Sequence, residues 1–207
     1  MSQIIAFKSK EGIVLASDGK AIDFKIGGGA FDLEVQRLFA LTSHSAVLTG
    51  GAAQGESICR SLKTFIEEED LSDIDAIYQA SLPFLASEYE TFMRKTCEVL
   101  PVDPIHQLYF ILAGYLPGND EAPFRLYLIW PKNRLPYLDG EEISSAFSVP
   151  RIMRLEYHLA QLSNEGAPLD HVLTVVRQAL ENQAETQDEI AGPFSYATIT
   201  RDGYQSV

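Results

Sequence analysis

Between residues 4 and 49 the apolar positions come in short runs broken by turn residues, a strand pattern rather than a helical one. Residues 4–8 and 12–17 flank Ser9-Lys10-Glu11 in a hairpin-like arrangement, and Asp18-Gly19 is a turn signal. Residues 23–32, with Gly27-Gly28-Gly29, predict a loop or a distorted strand pair. Residues 34–41 and 45–49 predict two further strands around Thr42-Ser43-His44. The period changes at Gly50-Gly51. From residue 52 to about 69, Ile58, Leu62, Phe65 and Ile66 recur at helical spacing. Ser72 followed by Asp75 opens a second helix to about residue 95, with Ile74, Ile77, Tyr78, Leu85, Tyr89 and Phe92 on its buried stripe. Pro83 lies inside that stripe, so a kink or break is expected there. Residues 99–105, with two prolines, form a connection. Strands return at 108–115 and 124–130, with a short segment at 134–138. Helices follow over about 150–162 and 168–184, with Pro150 and Pro168 at their starts, and a last strand covers 194–200.

Two groups of strands, each followed by a pair of helices, predict a single α+β domain over residues 1–207 with stacked sheets between helical layers. No Pro/Gly/Ser-rich linker divides it. The charge, 16 − 29 = −13 with a pI near 4.6, changes the picture of partners. Binding a phosphate backbone requires clustered Lys and Arg, so nucleic acid and anionic membrane surfaces are excluded as expected partners. The N-terminus lacks the basic and apolar regions of a signal peptide, and no apolar stretch reaches the roughly 20 residues of a membrane helix. A cytoplasmic location is expected. Cys59 and Cys97 stand apart from any metal-ligand spacing and predict buried, inert thiols.

The familiar chemical motifs fail on their own mechanics. Gly50-x4-Gly55 is followed by Glu56-Ser57, where a phosphate loop needs a lysine and a glutamate would repel the phosphates. Gly27-Gly28-Gly29 lacks the spacing and strand–turn–helix setting of a dinucleotide site. His44, His106, His158 and His171 are scattered, so neither metal nor cofactor is expected. No GxSxG elbow is present. What remains is Ser2. Once Met1 is removed, a terminal Ser carries a hydroxyl nucleophile beside an α-amine of pKa about 7.7–8.0, which can take the hydroxyl proton without a histidine.

The order of segments resembles the proteasome β-subunit and the bacterial HslV peptidase. The resemblance rests on a strand from residue 2, on Gly12-Ile13-Val14-Leu15-Ala16-Ser17-Asp18 and on Leu48-Thr49-Gly50-Gly51-Ala52-Ala53 opening a helix. It continues with Tyr109-Phe110-Ile111-Leu112-Ala113-Gly114-Tyr115, Arg125-Leu126-Tyr127-Leu128-Ile129, and the tail Ala191-Gly192-Pro193 with Ala197-Thr198-Ile199-Thr200-Arg201-Asp202-Gly203. It implies a four-layer αββα sandwich of the N-terminal-nucleophile hydrolase type. It also implies peptide-bond hydrolysis within a ring or spiral homo-oligomer, acting on unfolded polypeptide or peptide and served by an ATP-dependent unfoldase.

By that resemblance Ser2 falls on the nucleophile, Asp18 on the residue that sets charge around a catalytic lysine, and Gly50 on the oxyanion-hole glycine. Asp188 falls on the support of the terminal amine, with Ala191 where a Ser is expected. The lysine position holds Arg37, or Gln36 in a shifted frame. Arginine supplies charge but no proton transfer, so restoring lysine at 37 is expected to preserve or raise turnover. Lys20 and Lys25 are alternatives from the loop. The Ser–Gly–Ser motif degenerates to Ser144-Ser145-Ala146-Phe147-Ser148. A catalytically silent assembly or binding subunit is the alternative reading, and a relative that cleaves a small amide is a third.

Overall fold

Short apolar runs pair early along the chain. The computed structural model describes residues 2–24, 29–97, 107–131 and 138–207. β1 (Ile4–Lys8) and β2 (Ile13–Ser17) are almost wholly buried and pair in antiparallel register, Ile4 with Ser17 and Lys8 with Ile13. Both faces of these strands are covered, which is why they read as continuous apolar runs. β10 (Ala146–Val149) joins the free side of β1, and β11 (Ser195–Thr200) joins that of β2. β12 (Gly203–Ser206) closes this five-stranded sheet, ordered β10-β1-β2-β11-β12. β5 (Leu38–Thr42), β6 (Ser45–Gly51), β7 (Leu108–Tyr115), β8 (Phe124–Trp130) and β9 (Asp139–Glu142) form a second sheet in chain order.

Alternation divides the apolar residues. Ile4, Ala6, Ile13 and Leu15 meet Leu48, Ile111 and Leu128 of the second sheet, while Ile5, Phe7, Val14 and Ala16 meet Leu159, Val172, Val176 and Leu180. The last four lie on α3 (Met153–Glu165) and α4 (Leu169–Thr186). Another cluster joins Val47, Phe110, Leu112 and Ile129 to Ile58, Leu62, Ile77, Leu85 and Tyr89 of α1 (Gly55–Glu68) and α2 (Ile74–Cys97).

The four-layer αββα sandwich implied by the resemblance is corrected by the pairing: the described residues build three antiparallel sheets with four helices, a mixed α+β fold. The third sheet is a hairpin, β3 (Lys20–Phe24) with β4 (Ala30–Glu34), where a loop or distorted pair was predicted. The strand predicted over 34–41 is cut at Val35, whose N–H donates to Gly19 O at 2.8 Å and so turns the chain out of the hairpin. α2 runs through Pro83 without a break, because its buried stripe is held along its length. β9, β10 and β12 are only four residues each, too short for periodicity to show. Phe84 stacks on Phe65 with ring centroids 4.7 Å apart, whereas Tyr157 is exposed. The connection 99–105, most of the segment 134–138, Lys25 and His106 lie outside the described residues.

Candidate functional site

The β1–β2 ladder runs one pair beyond its strands. Gln3 N donates to Asp18 Oδ1 at 3.0 Å, and Asp18 N donates to Gln3 O at 3.0 Å. That pair sets Ser2 beside the turn at Asp18-Gly19. The turn is clamped by the tail: Gly19 N donates to Ala191 O at 3.0 Å, and a Cβ on Gly19 would lie 2.4 Å from Pro193 O.

The second sheet supplies the other wall. Thr49 N donates to Arg37 O at 2.8 Å, so at residue 49 the backbone of β6 faces β5. Along an antiparallel strand the peptide groups alternate in direction. Gly50 therefore addresses β7, opposite Tyr109, and Gly51 turns back to the side where Ser2 stands. The Gly51 N–H donates to Ser2 Oγ at 2.7 Å. Gly51 has φ of +96°, and a Cβ there would lie 2.0 Å from Gln107 O, so only glycine fits.

Arg37 lies behind this contact with 1% of its side chain exposed, against 0% for Asp18. Its Nη2 donates to Lys20 O at 2.7 Å and its Nη1 to Gly51 O at 3.3 Å. Its Nε stands 3.3 Å from Asp18 Oδ1 without hydrogen-bond alignment, and Asp18 Oδ2 makes no well-formed hydrogen bond among the described residues. Burial pushes the Asp18 carboxyl up to about 6, against the pull of Arg37 and the smaller effects of the Gln3 and Lys20 amides. Burial also lowers the Arg37 pKa, opposed first by Asp18.

Ser2, Asp18, Arg37 and the Gly50-Gly51 turn are thus brought together, with Ser2 itself 3% exposed. Asp188 is exposed in the turn that follows α4, and its main-chain O accepts from Lys20 Nζ at 2.7 Å. The Lys20 ammonium also pairs with Asp32 Oδ2 at 3.0 Å. Ser148 turns to α3, where its N and Oγ donate to Glu156 Oε1 at 3.0 and 2.6 Å. Cys59 is a buried free thiol whose pKa burial raises. Gly51 and the Lys20 carbonyl escaped sequence reading. The alternation of β6 pointed to Gly51, but only once its partner strands were known. Among the described residues, no group of three or more His, Cys, Asp or Glu could hold a metal, and no helix is long and apolar enough to cross a membrane.

No family model and no curated protein matches the chain. Among solved structures it is similar to Anbu (ancestral beta-subunit) from Yersinia bercovieri, with a TM-score of 0.71 and 13% identity over 99% of this chain and 86% of that one. The likeness is one of fold. It corrects the resemblance to the proteasome β-subunit and HslV: the matched segments are short strand and turn sequences, and neither family is supported by a match.

Proposed function

We propose that this chain is a subunit of a self-assembling amide hydrolase, with Ser2 as nucleophile after loss of Met1. The observation that carries the reading is the 2.7 Å contact between Gly51 N and Ser2 Oγ, set against a buried Asp18–Arg37 pair. The Ser2 α-amine takes the hydroxyl proton as Oγ bonds to the substrate carbonyl carbon. The main-chain N–H of Gly51 stabilises the oxyanion. The amine returns the proton to the leaving nitrogen as the C–N bond breaks, and water then hydrolyses the ester to release the acid and regenerate Ser2. Asp18 and Arg37 supply fixed charge behind the nucleophile. The substrate class is peptide, delivered by an unfoldase, and the assembly is a homo-oligomer. The structural neighbour's description as a beta-subunit and the exposed Met153 and Tyr157 on α3 support self-association.

Ser2→Ala tests the chemistry: peptidase activity falls to background while oligomer size and melting stay as in the wild type. Turnover unchanged in this variant places the chemistry elsewhere. The burial of Ser2 and the arginine at 37 favour a second reading, a silent assembly subunit. Intact mass separates the two, since retained Met1 leaves Ser2 without a free amine.

A further inference from the structure

Gly51 is held through both of its main-chain polar groups. Its N–H meets Ser2 Oγ at 2.7 Å and its C=O meets Arg37 Nη1 at 3.3 Å. The next N–H, that of Ala52, donates to Gln107 O at 3.0 Å, so the peptide after Gly51 is fixed at both its polar atoms. A glycine at φ of +96° has no side chain to keep it there. Arg37 is anchored elsewhere, through Nη2 on Lys20 O at 2.7 Å and by facing Asp18 Oδ1 at 3.3 Å.

We infer that Arg37 is a positioning residue: its planar fork ties the start of the β3–β4 hairpin, Asp18 and the Gly51 carbonyl into one rigid unit that aims the Gly51 amide at Ser2 Oγ. It acts through Gly51 and moves no proton. A lysine ammonium is a single point on a flexible stem and cannot span Lys20 O and Gly51 O while facing Asp18. Lysine at 37 therefore loosens Gly51 and slows acylation, the reverse of what the resemblance implies. The kinetic half of this inference rests on the proposed role of Ser2, and the geometric half does not.

The test uses the full chain as wild type, Arg37→Lys and Ser2→Ala. Arg37→Lys keeps a positive charge beside Asp18 and so guards against simple unfolding. The probe is a β-lactone, which esterifies a serine hydroxyl by ring opening and is followed by intact mass against lactone concentration. Arg37→Lys lowers the maximal acylation rate about 10-fold or more, with the half-saturating concentration within about twofold, the signature of an effect on the transition state rather than on binding. In 15N-glycine-labelled protein, exchange of the Gly51 amide quickens about 10-fold or more in Arg37→Lys, while that of Gly114 in β7 is unchanged. Acylation equal to or faster than wild type, or unchanged Gly51 exchange, overturns the clamp. Wild type labelled no more than Ser2→Ala overturns the role of Ser2, and Gly51 exchange then judges the clamp alone.

Discussion

Glu156 and Asp18 each face an arginine, with opposite results. Glu156 on α3 receives Ser148 N and Oγ and the Arg151 guanidinium, whose Nε lies 2.7 and 2.9 Å from its two oxygens. Burial alone would raise its pKa, but Arg151 and Ser148 hold it below the usual range. Asp18 has one oxygen on the Gln3 amide and near Arg37 Nε, the other without a well-formed partner, and it is pushed up to about 6. The difference is one of satisfaction. Arg151 is 56% exposed and keeps its hydration while it grips Glu156, whereas Arg37 spends its Nη donors on main-chain carbonyls and meets Asp18 poorly. A fully satisfied pair fastens a helix to a strand. A buried pair left short of hydrogen bonds is an unfavourable arrangement that marks a candidate site.

The comparison can be broken at Arg37. Arg37→Met leaves Asp18 buried without a counter-charge and is expected to cost about 3 kcal/mol at pH 7 in a urea melt. The deficit shrinks at pH 5, where Asp18 is protonated. An equal deficit at both pH values means that the loss is one of packing and not of charge.

Asp18→Asn sharpens it. The folded Asp18 holds its proton more tightly than the unfolded chain does, from the ordinary 3.8 up to about 6. Its contribution to stability is therefore fully present below pH 3.8 and lost as pH rises through about 6, a slope worth at most about 3 kcal/mol. Asp18→Asn removes that slope, and a wild-type slope in the variant assigns it to another group.

The smallest effect lies at the other pair. Glu156→Gln gives up charge-assisted bonds to Arg151 and costs about 1–2 kcal/mol at pH 7. Its pH dependence has the opposite sign: with a lowered folded pKa, the contribution of Glu156 is present above the ordinary 4.5 and lost as pH falls. Wild type and variant then converge in acid, and a constant gap down to pH 3 removes the contrast with Asp18.

Much of the architecture is legible in the sequence. The runs at 4–8, 45–49, 108–115 and 124–130 and the stripes of Ile58-Leu62-Ile66 and Ile74-Ile77-Leu85-Tyr89 became β1, β6, β7, β8, α1 and α2, because burial of both faces leaves a strand an apolar run and burial of one face gives a helix its period. Pairing of strands far apart in sequence leaves no period, so the partnership of β1 with β10, the separate β3–β4 sheet and the four-residue strands were decided only by the folded chain. The site divides in the same way. The residue types were visible in the chain, a hydroxyl at position 2, a carboxylate at 18, a cation at 37 and a glycine pair at 50 and 51. Which amide reaches Ser2 and which partners the Lys20 ammonium meets depend on strand direction and register. A local sequence does not carry those, because they are fixed by contacts between segments brought together only when the two large sheets meet.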